Sequence, residues 1–167
     1  MYRYFLVLII CVSMLSSCAK NEMKENAAID MYKSYYSQVL SQDSYLENSE
    51  YFTLSTEMTR LSDGSYRYYV IVDEPTTAMY HCRIFAVEDD IPYQDNDKMM
   101  PTLGIFDTDV SLIPNKIDKA HGFMKGLVIS GESDKDHIEL KLVVQWNDES
   151  GKSSNEQYLK TTIQYQQ

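Results

Sequence analysis

Basic residues are scarce: 15 Lys and Arg stand against 25 Asp and Glu, a net charge of -10 over 167 residues. A chain of that sign repels phosphate, so a role that works by neutralising nucleic acid or acidic headgroups is excluded. Cysteine is rarer still, at three copies, and the three histidines are far apart (His81, His121, His137). Zinc ligation needs His and Cys clustered at ligand spacing, and no such cluster exists. The six glycines sit at turns or strand ends, which removes the phosphate-cradling loop that opens a helix. No serine stands in a glycine-flanked elbow, and the mature chain contains no Ser-x-x-Lys. Internal repeats and low-complexity tracts are also missing. The length suits one domain with short appendages, and 44% hydrophobic against 24% charged residues is ordinary globular usage.

The single long apolar run is Phe5 to Leu15, preceded by one cation, Arg3. Eleven residues of helix would extend about 16 Å, too short to span a hydrocarbon core of about 30 Å, so the run reads as an export signal rather than an anchor. It ends in Leu15-Ser16-Ser17-Cys18. This quartet resembles the lipobox of bacterial lipoproteins, a Leu followed by two small residues and a Cys. The resemblance implies that the Cys18 thiol receives a diacylglyceryl group, that cleavage removes residues 1–17, and that acyl chains hold the new amino terminus at the extracytoplasmic face of a membrane. Two or more chains hold durably where one does not. Loss of Arg3 with the signal takes the mature charge to -11. Cys11 leaves as well, and Cys82 then has no partner for an internal disulfide. Its apolar surroundings (AMYHCRIFAV) predict a small buried hydrophobe.

Residues 18–26 read as a polar lipidated tether and residues 27–167 as one β-rich domain. Over residues 27–41, Ala28, Tyr32, Tyr35 and Val39, flanked by Ile29, Tyr36 and Leu40, recur at spacings of three and four, which predicts an amphipathic helix packed on the sheet. After Asn48 the period falls to two. Tyr51–Leu61 and Ser65–Val72 flank Asp63-Gly64, a hairpin signal, and Ala78–Val87 follows Pro75. Leu103–Phe106, Val110–Ile113 and Gly122–Ser130 read as further short strands, and His137–Trp146 with Glu156–Gln164 as a second hairpin. The fold class is mainly β: about eight strands in an antiparallel β-sandwich or strongly curved sheet, with one N-terminal helix on a face or edge.

The acidic stretch Glu88–Met100 reads as a long, functional or mobile loop. Asp95, Asn96 and Asp97 suggest a calcium loop, but the required Gly and Glu are absent and the frame fails. No cofactor is expected. Twelve of the 14 tyrosines survive signal removal, and Tyr is a preferred interface residue. The candidate binding surface is therefore Tyr66, Tyr68, Tyr69, Tyr80 and Tyr93 with Asp89, Asp90, Asp95 and Asp97; Tyr66, Tyr68 and Tyr93 should be accessible and contiguous. The stretch Met79–Gly131, with GIFD (Gly104–Asp107), IPN (Ile113–Asn115) and GFMKGLVISG (Gly122–Gly131), resembles small uncharacterised surface lipoproteins of Gram-positive bacteria. That resemblance implies a surface β domain. The reading that follows is a lipid-anchored, non-catalytic module for a protein or envelope partner. Alternatives are an immunity protein against a basic toxin acting outside the membrane, and an envelope hydrolase using a histidine and a carboxylate in hydrogen-bond reach.

Overall fold

Alternation of apolar and polar side chains builds two sheets that share one core. The computed structural model describes residues 23–166; the expected export signal, the lipobox-like quartet and Cys18 lie outside the described residues. A helix, α1, runs over residues 23–40. Nine strands follow: β1 (Thr53–Arg60), β2 (Tyr66–Asp73), β3 (Tyr80–Glu88), β4 (Thr102–Leu103), β5 (Ser111–Leu112), β6 (Phe123–Met124), β7 (Gly126–Ser133), β8 (His137–Asn147) and β9 (Ser154–Gln164). They form a three-stranded sheet in the order β1-β2-β7 and a four-stranded sheet in the order β4-β3-β8-β9, both antiparallel, with the short β5-β6 pair parallel.

The two sheets meet through their inward residues, Val70, Val72, Leu127 and Ile129 from one and Ile84, Ala86, Leu140, Leu142 and Val144 from the other. The C-terminal half of β3 is apolar on both faces because Phe85 and Val87, which alternate with Ile84 and Ala86, are buried as well. They face α1. Tyr32, Tyr35, Tyr36 and Val39 pack on Phe85, Val87 and Val143 in a second apolar cluster. The molecule is thus layered: helix, four-stranded sheet, three-stranded sheet. No helix or strand covers the far side of β1-β2-β7 among the described residues, and Val128 there is 51% exposed.

Local chemistry explains the departures from simple strand reading. α1 begins at least four residues earlier than the apolar spacing marks, so residues 23–26 are helix rather than tether. Met, Lys and Glu favour helix without needing a buried face. The strand expected at Leu103–Phe106 stops at Leu103 because Gly104 turns with φ of 77°, and a Cβ there would sit 2.4 Å from the Cys82 carbonyl oxygen. The expected strand Gly122–Ser130 divides at Lys125 into β6 and β7. Asp63-Gly64 does turn the β1-β2 hairpin: the Gly64 N–H donates to the Leu61 carbonyl at 3.1 Å, and the Asp63 carboxylate accepts from the Ser65 N–H at 3.0 Å.

Candidate functional site

The tyrosines of α1 carry the chain that leaves β3. The Tyr36 hydroxyl donates to the Ile91 carbonyl at 2.6 Å and accepts from the Asn96 amide at 3.4 Å, while the Tyr32 hydroxyl accepts from the Met100 N–H at 2.7 Å. Burial pushes both phenols up, so they remain neutral, and Tyr36 keeps the proton it donates. Residues 89–100 are therefore pinned along the helix. Tyr93, in a single 3-10 turn (Tyr93–Asp95), packs edge-on against Tyr36 at 5.4 Å and Tyr32 at 6.3 Å, and Phe106 lies 5.9 Å from Tyr32. Two clefts result, with Tyr93 as the ridge between them. One, of about 470 Å³, is walled by Ile29, Tyr32, Met99 and Phe106; the other, of about 460 Å³, by Lys33, Tyr36, Leu40 and Pro92. Tyr93 is 41% exposed, Met99 65% and Phe106 42%.

Asp89 and Asp90 serve a turn. Both have positive φ, 49° and 56°, and the Ile91 N–H donates back to the Glu88 carbonyl at 3.1 Å, the geometry of a tight reversal that Asp tolerates. Their carboxylates pair with Lys135 and Lys141. Burial raises the Asp89 carboxyl, but the Lys135 ammonium and the Glu139 N–H outweigh it and hold the group below its ordinary range. Beside the turn, Glu88 is 2% exposed, yet it accepts from the Ser133 hydroxyl at 2.6 Å and pairs with Lys98 at 3.3 Å. Burial and the neighbouring Glu88 carboxylate push the Tyr68 phenol far up. These groups close one end of the sandwich.

Sequence reasoning grouped nine side chains; the structure divides them. Tyr68 is a correction, because it is 1% exposed and fills the core beneath Gly131. An aromatic on the inward face of β2 is core, whatever its neighbours do. Tyr66 is half-buried against Tyr165 at 5.4 Å, and Tyr80 is half-buried opposite Asn147. The accessible, contiguous trio of Tyr66, Tyr68 and Tyr93 is therefore not formed. Tyr93, Asp95 and Asp97 stay together on the helix side, exposed. Tyr69 is alone on the open sheet face, paired across with Glu57 and Ser130 and next to the pair Ile71 and Val128. Met99 and Phe106 carry no local signal as a surface: one lies near the end of the acidic loop, the other beyond Leu103, where the expected strand stops. Asp97 also borders a third cleft, of about 430 Å³, with Asp63, Glu132 and Asp134, but Lys98 stands among these carboxylates.

No family model and no curated protein matches the chain. Among solved structures, it is similar to the X-ray structure of the Northeast Structural Genomics Consortium target SoR45, with 13% identity and a TM-score of 0.38. The alignment covers 71% of this chain and 88% of that one. A likeness of that size carries no inference.

The groups with reactive potential are placed as follows. Cys82 is buried, which pushes its thiol up to about 11, and it leans on the Met79 carbonyl at 3.3 Å. A thiol so placed is a poor nucleophile at neutral pH. His81 pairs with Asp109 at 3.3 Å and His121 with Asp118 at 2.7 Å. Both pairs stand on the corner built by β5 and β6, with side chains open to solvent, and neither borders the helix-side clefts. Among the described residues, no three His, Cys, Asp or Glu side chains converge to hold a metal ion.

Proposed function

We propose that this chain is an extracytoplasmic lipoprotein, attached through Cys18 to the outer side of a membrane, and that its β domain is a non-catalytic module for binding a protein. The attachment rests on Leu15-Ser16-Ser17-Cys18 after an 11-residue apolar run. The single observation that carries the binding role is the asymmetry of the layers. α1 covers one sheet, while the outer face of β1-β2-β7 stays open with Tyr69, Ile71 and Val128 adjacent on it. Two β-branched side chains and an aromatic form a short apolar stripe. Glu57, Asp73 and Glu132 border it against one cation, Arg67, which the Glu132 carboxylate already engages. Such a face suits a basic partner with an apolar centre.

That charge pattern also favours the narrower reading of an immunity protein that blocks a basic toxin outside the membrane. A photo-crosslinking side chain at position 69 tests the module. In cells, it should give one discrete adduct with a basic extracytoplasmic protein, and a Val128→Glu change in the same chain should abolish that adduct. Crosslinks that are diffuse, or indifferent to position 128, would remove the proposed face. For the attachment, intact mass should show a mature chain that starts at a diacylglyceryl Cys18, and Cys18→Ala should leave the membrane fraction. A native chain retaining residues 1–17, with a free thiol at Cys18, would refute it.

A further inference from the structure

If the chain is anchored as proposed above, the length of the tether decides which side of the domain meets the bilayer. Helix is already formed at residue 23, so four residues, 19–22, and five backbone steps join it to Cys18. Fully extended, they reach about 17 Å at roughly 3.4 Å each. With the acyl chains inserted, the first turns of α1 are held at the headgroups. Ile29 lies six residues further, about 9 Å along the axis at roughly 1.5 Å per residue. It is there that the domain shows its exposed cluster of large apolar side chains, Tyr93, Met99 and Phe106, gathered around the cleft that Ile29 and Tyr32 line.

We infer that this cluster is a membrane-contact patch: Met99 and Phe106 enter the interfacial region of the bilayer that already holds the lipid of Cys18, and Tyr93 sits at headgroup level. The chemistry suits a lipid–water boundary. Aromatic rings with polar tips and flexible thioethers are at home there, and Lys33, 6.0 Å from the Tyr93 ring, extends an aliphatic stem with a wet end. Three partly exposed side chains would bind lipid weakly on their own. A tether of four residues converts that contact into an intramolecular one at high effective concentration, where weak affinity suffices. Asp30, Asp95, Asp97 and Asp107 surround the patch in sequence, so zwitterionic headgroups are preferred over anionic ones. The consequence is orientation. With the helix layer on the membrane, the open face of β1-β2-β7, two layers away, points outward to the partner.

The test uses the full, lipidated protein reconstituted in vesicles of phosphatidylcholine and phosphatidylethanolamine. A nitroxide is placed at Met99→Cys, Phe106→Cys or, as control, Val128→Cys; buried Cys82 stays unlabelled. Collision with oxygen should exceed collision with a water-soluble nickel chelate at 99 and 106, and the ratio should invert at 128. Adding Phe106→Glu to the label at 99 should return that label to water while co-flotation with the vesicles persists. Labels at 99 and 106 as aqueous as that at 128, on protein that floats, would overturn the patch and leave the anchor standing. Labels shielded only in native envelopes would overturn it in favour of a protein cover. Protein that carries no lipid and does not float would overturn the anchor itself, and the patch with it.

Discussion

Phe85→Ala separates the two cores. Phe85 is fully buried and contributes nothing to the space between the sheets; it projects from the outer face of β3 into the helix tyrosines, with ring centroids 5.0 Å from Tyr32, 5.7 Å from Tyr36 and 6.3 Å from Tyr35. Truncation removes its apolar transfer energy and leaves a cavity roofed by three large rings that cannot collapse onto a methyl group. The cost should be about 3–5 kcal/mol, against total stabilities of about 5–15 kcal/mol for ordinary domains. It should also be local. The Met100 N–H, which donates to the Tyr32 hydroxyl, should lose hydrogen-exchange protection by several orders of magnitude, as should the amides of α1. Amides of β2 and β7, one layer away, fall by no more than the same free energy and should remain the better protected, because α1 can open without them. Urea unfolding gives the first number and exchange measured by mass spectrometry the second. A loss under about 1 kcal/mol, below the range for an emptied aromatic site, would refute the reasoning, as would α1 amides left better protected than those of β7.

Gly131→Ala should destabilise by about 1–3 kcal/mol or prevent folding, because the new Cβ would stand 2.3 Å from the Tyr68 hydroxyl and 2.9 Å from Pro101; pairing it with Tyr68→Phe should recover part of the loss in thermal melts. Cys82 should resist thiol reagents at pH 8 in the native protein and react at once in denaturant; fast native labelling would contradict its burial. The Asp89 carboxyl is held below its ordinary 3.8, so its contribution is fully present above that pH and disappears as pH falls through the lower folded value. Wild type should therefore lose stability more steeply below about pH 4 than Asp89→Asn, and superimposable acid profiles would dismiss the Lys135 contact. Tyr69→Ala should change stability by no more than about 0.5 kcal/mol while weakening the crosslink partner's binding, since its side chain packs on the open face.

Period in the chain was enough to find α1, both long hairpins and the layered β class, because each buries one face and repeats that burial every two or 3.6 residues. Period says nothing about what covers the other face. β3 illustrates the gap: Ile84 and Ala86 alternate with Phe85 and Val87, all four apolar, and no local signal tells which pair meets the sandwich and which meets the helix. The same ignorance displaced the candidate surface. Tyr66, Tyr68 and Tyr69 are close in sequence, yet on one strand Tyr66 and Tyr68 face the core and Tyr69 faces out, so a tyrosine cluster in the sequence is split across two faces in the sheet. Asp89 and Asp90 look like a ligand pair because their use depends on lysines some fifty residues later, Lys135 and Lys141. Conversely, Met99 and Phe106 become a surface only because Tyr32 and Tyr36 pin residues 89–100 to the helix, a contact made across 55 to 68 positions. The division of labour between the two sides follows from that pinning. Where the helix tyrosines spend their hydroxyls on the loop, the loop's own large side chains are left outside, and Met99 and Tyr93 stand exposed beside the helix.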